Sequence, residues 1–361
     1  MTTATAATGS KRNTLTAGQL SKWAPWVTLA ASFALAAGLF MLVAVASSTD
    51  FSWAGVAIVG YILFLIILPV VSRIVEGGRK AMDRFMTGLV TGAFLLAFIP
   101  LLSLMWTVVS EGAARFDVQY FTESMRNVVG EGGGAIHALV GTLLVTLGAT
   151  VISVPVGIFT AIYLVEYGRG WVAKGITTLV DIMTGIPSIV TGLFAFALFS
   201  LLFSDPGYRS GIGGSVALSV LMIPTVVRST EEMLKLVPNE LREASYALGV
   251  PKWLTIVKVV LPTALAGIAT GVTLAIARVI GETAPLLIIA GFTASMNYNL
   301  FSERMMTLPV YVYNQYIAPG MNVSAAHERA WTGALTLILI VVVLNLIARL
   351  VAKIFAPKAG R

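Results

Sequence analysis

From residue 27 onward the chain alternates long apolar runs with short polar breaks. The runs are 27–47, 53–72, 85–109, 138–165, 176–203, 212–227, 259–292 and 331–352. Most reach or exceed the ~20 residues that a membrane-crossing helix needs. The pattern therefore predicts an all-α, polytopic integral membrane protein. The 212–227 run is short and opens on glycines, so its ends are the least defined. Breakers sit inside two other runs. Pro187, with Gly185 and Gly192, predicts a bend in the fifth, and Gly281 with Pro285 predicts a kink or an unwound turn in the seventh. Gly88–Gly92 and Gly267–Gly271 have the four-residue spacing that lets helices pack closely. Residues 1–26 are polar and low in complexity, and read as a disordered N-terminal segment. Ala44-Val45-Ala46 resembles a signal-peptidase site, but the run before it is longer than a signal peptide uses, so 27–47 is taken as a retained span.

Composition agrees: 57% of residues are hydrophobic and 11% charged, against about 25% charged in ordinary soluble domains. The charges also assign sides. With the N-terminus inside, segments 1–26, 73–84, 166–175, 228–258 and 349–361 hold 18 of the 24 Lys and Arg residues. The outside segments hold five: Arg115, Arg126, Arg209, Arg304 and Arg329. This asymmetry supports eight spans with both ends cytoplasmic. Trp23, Trp26, Trp53, Trp106, Trp171 and Trp331 fall near run ends, as interface residues do. The outside loops 110–136, with a flexible Gly-rich stretch at 130–134, and 293–330 are long. No loop has room for a nucleotide-binding domain, and no phosphate-cradling G-x-x-x-x-G-K-[ST] occurs. No basic face on a soluble domain points to nucleic acid. His137 and His327 stand alone, too few for a metal site. Without a catalytic constellation or any cysteine, the chain does not read as an enzyme.

The inside loop 228–258 carries helix signals. Ser229 with Glu232 fits a capping box. Pro238 fits the first turn of a short helix, and Gly249 its stop. Pro251 then starts a second short helix. Leu241, Ala244, Ser245 and Leu248 fall at helical spacing on one face. That face fits either a partner's groove or the chain's own bundle. Within it, Glu243-Ala244-Ser245, then Gly249, then Val259-Val260-Leu261-Pro262 resembles the E-A-A-x3-G-x9-I-x-L-P motif of ABC importer permeases. Ser245 replaces the third alanine and Val259 the isoleucine. The resemblance implies that the loop docks on a separate ATPase, with Glu243, Ala244 and Gly249 as the coupling positions.

In the seventh run, ARVIGETAPLLII (277–289) places Arg278 and Glu282 four residues apart. On a helix they share one face. A charge at mid-membrane costs ~2.5–3.5 kcal/mol on insertion scales, so such residues face the bundle interior or a water-filled path. Two readings follow: an ion pair locking spans together, or an anion site. Arginine suits the second, because its planar fork binds oxyanions bidentately and stays charged. Glu282 would then compete with the anion and keep its binding weak enough for release. Asp181, one turn inside the fifth run, reads as a helix-end or packing residue. Arg228 follows the sixth run and reads as an inside positive charge, with a role at the inner exit as its second reading.

The stretch ARVIGETAPLL closely resembles the ARxxGETAPLL segment of the PstA family, permease subunits of bacterial phosphate importers. The partner PstC permeases typically carry GETMA. Gly185–Val190 and Pro224–Glu232 resemble the same family, and the likeness runs over about 85–355. It implies a type I, MetI-like ABC importer permease core of six spans, with a transmembrane domain at about 138–350. Residues 27–84 are then an extra pair of spans that the family pattern lacks. The implied function is import of inorganic phosphate through a path containing Arg278, Glu282 and Arg228. The implied partners are a PstC-like permease, a dimer of ATPase subunits that use ATP and Mg, an extracytoplasmic phosphate-binding protein, and lipid of the bacterial cell membrane. No cofactor is expected on this chain itself. The competing readings are a permease for another oxyanion such as sulfate or molybdate, a secondary carrier or channel, and a purely structural membrane subunit.

Overall fold

The computed structural model describes residues 18–47 and 50–355. Lys11, Arg12, Lys358 and Arg361, counted above among the inside charges, lie outside them. Every regular element described is helical. Among the described residues, seven helices are long and apolar enough to cross a membrane, or eight if one bent pair is counted as a single span.

The chain divides into two compact units at Met105/Trp106. The first holds α1 (Ala24–Ser47), α2 (Trp53–Val75) and most of α3 (Gly78–Gly112). Glycine lets these helices approach: Gly55 lies against the Phe40 ring and Gly60 against Phe33. Gly88 and Gly92 of α3 face Leu65 and Tyr61 of α2, as their spacing predicted. The Tyr61 hydroxyl donates to the Gly88 carbonyl at 2.8 Å. Between α2 and α3, Glu76 accepts from Arg84 Nε at 2.7 Å and from the Leu20 amide at 2.9 Å. The bonds from Arg84 hold its carboxyl down at about 2, against burial, which pushes the other way.

The second unit is built around α5 (Ile136–Ile162) and α8 (Gly211–Lys235), its most extensive helix pair. Gly148 of α5 sits on Ser215, and Gly157 on Val226. The Ser215 hydroxyl crosses back to the Val145 carbonyl at 2.9 Å. A π-turn, Tyr163–Tyr167, extends α5. On the far side of α8 packs α11 (Leu261–Val279), with Gly267 on Met233 and Gly271 on Ser229. The second glycine pair is thus a packing seam as well.

The fifth apolar run is not one straight span. It breaks into α6 (Gly170–Thr184) and α7 (Ser188–Phe203), bent by 109°. Pro187 has no amide hydrogen, and its ring excludes the residue before it from helical geometry, so the break falls at 185–187. The sixth run is longer than its apolarity indicated: α8 continues through Ser229 and Glu232 to Lys235. The expected capping box does not form; Ser229 Oγ bonds the Val226 carbonyl at 3.2 Å. The seventh run also breaks. After α11 come a non-helical turn and the short α12 (Ala284–Ile289). α13 (Leu308–Ile317) and α14 (Val323–Phe355) complete the unit.

The Gly-rich stretch at 130–134 is tied down rather than loose. Arg329, 3% exposed, donates to the carbonyls of Gly130 at 2.8 Å and Gly132 at 3.0 Å. His137 is buried against Tyr311, and among the described residues no group of His, Asp and Glu forms a metal site.

Candidate functional site

The break after α11 places both residues of the charge pair, but not as a pair. The last helical bond of α11 runs from the Ile280 amide to the Ile276 carbonyl; the Glu282 amide then bonds the Val279 carbonyl at 3.1 Å before α12 begins at Ala284, with Pro285 in its first turn. Arg278 and Glu282 therefore do not share a helical face, and no ion pair joins them among the described residues. This corrects the expectation from their four-residue spacing, which holds only if the helix continues. Arg278 lies exposed in the last turn of α11, where the helix dipole favours a cation. Its nearest polar partner is the Thr225 hydroxyl of α8, at 3.5 Å.

Thr225 belongs to a polar stripe on α8. Arg228, Glu231 and Lys235 follow it at three- and four-residue spacing and so share a face. Arg228 is inside this helix rather than beyond its end. It bonds Glu231 Oε2 at 2.8 Å and also the Asp181 carboxylate of α6. Lys235 takes the other Glu231 oxygen at 2.6 Å. Asp181 is thus an inter-helix tie, in line with its packing reading. The Thr225 that Arg278 reaches lies three residues, roughly 4.5 Å of rise, before Arg228 on α8, yet the two arginines differ sharply. Arg228 is matched by two carboxylates, while Arg278 is matched by none. Glu231, 8% exposed, was missed in the sequence; its signal is the R-x-x-E-x-x-x-K spacing from Arg228 to Lys235.

Beyond Lys235 the chain forms an elbow of α9 (Asn239–Ala247) and α10 (Lys252–Thr255), continued by a π-turn, Ile256–Val260, into α11. Gly249 holds φ +74° between the two short helices, so its stop role stands. Arg242 fastens the elbow: it bonds Glu166 Oε1 at 2.9 Å, the Leu234 carbonyl at 3.0 Å and the Val237 carbonyl at 2.6 Å. Lys252 also reaches the Glu166 carbonyl and lies over the Tyr167 ring. The expected face of α9 splits. Ser245 turns inward to Thr255, oxygen to oxygen 2.8 Å apart. Leu241, Glu243, Ala244 and Leu248 stay exposed. The serine that replaces the motif's alanine thus binds the two short helices together.

These features, a break with an unmatched arginine and a braced elbow, sit in a region that comparison identifies. The family described as binding-protein-dependent transport system inner membrane component matches residues 153–361. Phosphate transport system permease protein PstA 1 of Mycobacterium tuberculosis (strain CDC 1551 / Oshkosh) is 45% identical over 287 residues, covering 78% of this chain and 92% of that one. The chain belongs to the PstA family of binding-protein-dependent permeases. PstA of Yersinia pestis is 38% identical over 284 residues, 78% of this chain and 93% of its own. The permease also shares its fold with a chain of a bacterial alginate ABC transporter, solved in complex with an alginate pentasaccharide-bound periplasmic protein. That match has a TM-score of 0.55 at 13% identity, over 80% of this chain and 100% of the other.

Proposed function

We propose that this permease forms one half of the path of an ATP-driven importer of inorganic phosphate. The observation that carries the reading is Arg278. It is a guanidinium beside a helix break in an apolar bundle, with no carboxylate on it, in a chain 45% identical to a phosphate transport permease. An unmatched fork of donors at such a depth is suited to a tetrahedral oxyanion. Glu282, across the break, sets the affinity by repelling the anion and attracting the arginine. Arg228 is the inner station, held here by Asp181 and Glu231. A PstC-like permease completes the path, and an extracytoplasmic phosphate-binding protein delivers the ion. Two ATPase subunits, which bind the ATP and Mg, dock on the exposed side of the elbow at Glu243, Ala244 and the Gly249 turn. The elbow face is cytoplasmic, as the basic loops require. With α6 and α7 counted as one broken span, both termini lie on that side.

The test is phosphate uptake in cells carrying variants at wild-type membrane levels. Arg278→Ala should abolish uptake, Arg278→Lys should lower it ~10-fold by losing the bidentate fork, and Glu282→Gln should slow release. Undiminished uptake by Arg278→Ala refutes a direct role. Unlabelled sulfate or molybdate that competes as well as phosphate would assign the path to another oxyanion. If Gly249→Trp and Glu243→Lys left transport intact, the ATP-driven reading would fall in favour of a carrier or channel.

A further inference from the structure

A second pair of arginines lies at the opposite end of α8 from the elbow. A cavity of about 600 Å³ is lined there by Asp205, Tyr208, Arg209, Thr293, Glu303 and Arg304, among others. Arg209 precedes α8, and Arg304 comes from the α12–α13 connection. Both stems rest on Gly291, which holds φ +78°: a Cβ there would be 2.8 Å from Arg209 Cδ and 3.3 Å from Arg304 Cδ. Two guanidinium stems are thus brought onto one atom, and only glycine leaves them room. Two positive side chains lining one cavity favour an anion within it. Two carboxylates line the same cavity, yet neither forms an ion pair with these arginines among the described residues. Asp205 instead accepts from the Gly207 amide at 2.8 Å.

The arrangement is also held in place. Arg209 Nε donates to the Ile288 carbonyl at 2.9 Å, capping α12, and the guanidinium lies over the Phe196 ring, 5.8 Å from its centroid; its two terminal amino groups have no hydrogen-bond partner among the described residues. Asn297 donates to the carbonyls of Ser302 and Arg304 at 2.9 and 3.1 Å, fixing the turn in which Glu303 takes φ +60°. A non-glycine residue in that region is strained and persists only where its surroundings enforce it. The position fits a path. α12 begins at the Glu282 break and ends at this cavity, roughly 9 Å away, while Thr225 lies roughly 24 Å along the chain from Arg209 by helical rise.

We propose that Arg209 and Arg304 form an entry site for the transported oxyanion at the outer end of the permease. The anion sits between the two forks in place of the missing ion pairs, then passes along α12 to Arg278. This deepens the phosphate-import reading and rests on it.

The experiment uses the assembled transporter in nanodiscs, without binding protein, in an Arg278→Ala background that removes the site at the helix break. Inorganic phosphate is titrated and its ³¹P line broadening measured. Broadening is expected, and Arg304→Gln should weaken it on the order of tenfold, the loss of one charge-assisted contact. Arg209→Gln/Arg304→Gln should abolish it, and Arg126→Gln, which removes a charge that does not line the cavity, should not change it. The Arg304 side chain makes no hydrogen bond among the described residues, and glutamine keeps the part of its stem that rests on Gly291. Broadening that is absent, or indifferent to Arg304→Gln, overturns the proposal. So does the result that, with Arg278 intact and binding protein supplied, Arg209→Gln and Arg304→Gln raise only the binding-protein concentration needed for uptake, since the arginines would then be docking contacts. Binding of sulfate but not phosphate with the same dependence on Arg304 would keep the entry site and overturn the phosphate reading.

Discussion

Arg278 of α11 reaches Thr225, three residues before Arg228 on α8, yet the surroundings of the two arginines give them different work. Arg228 is neutralised by Asp181 and Glu231, and Glu231 is in turn shared with Lys235. Removing the arginine leaves a nearly buried carboxylate with only Lys235. We expect Arg228→Ala to destabilise the purified protein by ~1–3 kcal/mol. Asp181, 60% exposed at its side chain, is screened by solvent, so Asp181→Asn should cost less than ~1 kcal/mol. Thermal unfolding of the two variants in the same detergent checks the order. Equal losses would show that Glu231 is not the dependent partner. The residue types of both sites were legible in the sequence, because a charge in an apolar run stands out. The partnership was not: four-residue spacing paired Arg278 with Glu282, and the helix break undid it.

At the scale of elements, glycines decide where helices meet. Gly192 of α7 lies under Pro285 of α12, and a Cβ there would come within 2.5 Å of Pro285 Cα, a backbone atom with no freedom to yield. Gly192→Val should push α12 outward, cost ~1–3 kcal/mol by overpacking, and displace the Glu282 turn. Loss of phosphate uptake at undiminished membrane levels is the expected readout; uptake at the wild-type rate would mean that α12 need not hold its place. In the first unit the polar tie is Glu76. Its carboxyl titrates at about 2, below its unfolded value near 4.3. The stability it confers is therefore full above the unfolded value and is lost as pH falls through about 2. Amide exchange at Leu20, whose N–H it accepts, should stay slow relative to a Glu76→Gln variant at pH 4 and lose that difference as pH approaches 2.

At the scale of the whole molecule, large apolar side chains cover much of the described surface, while the buried residues mix alanines with large side chains such as Tyr120, Met222 and Leu308. Leu248, 83% exposed at the tip of the elbow, has no use for lipid on a face that carries Glu243 and Lys252. On the proposed docking face it is expected to anchor the ATPase, since a buried aliphatic anchor is what such grooves accept. Leu248→Asp should sharply reduce co-purification of the ATPase while leaving the permease's own thermal unfolding unchanged. Intact co-purification would move the docking face elsewhere.

The sequence by itself determined that the chain is helical, that it crosses a membrane several times, which segments carry the basic charge, and where the elbow stops. Run length, composition and glycine position are local properties, and they suffice for those conclusions. It also marked both breaks, because proline and glycine act on the backbone they occupy. Only the tertiary structure decided how far α8 extends past its apolar stretch, which carboxylates Arg228 holds, and that Ser245 faces inward. It alone brought Arg209 and Arg304 together on Gly291. These facts depend on residues far apart in the chain, and no local pattern encodes the distance between them.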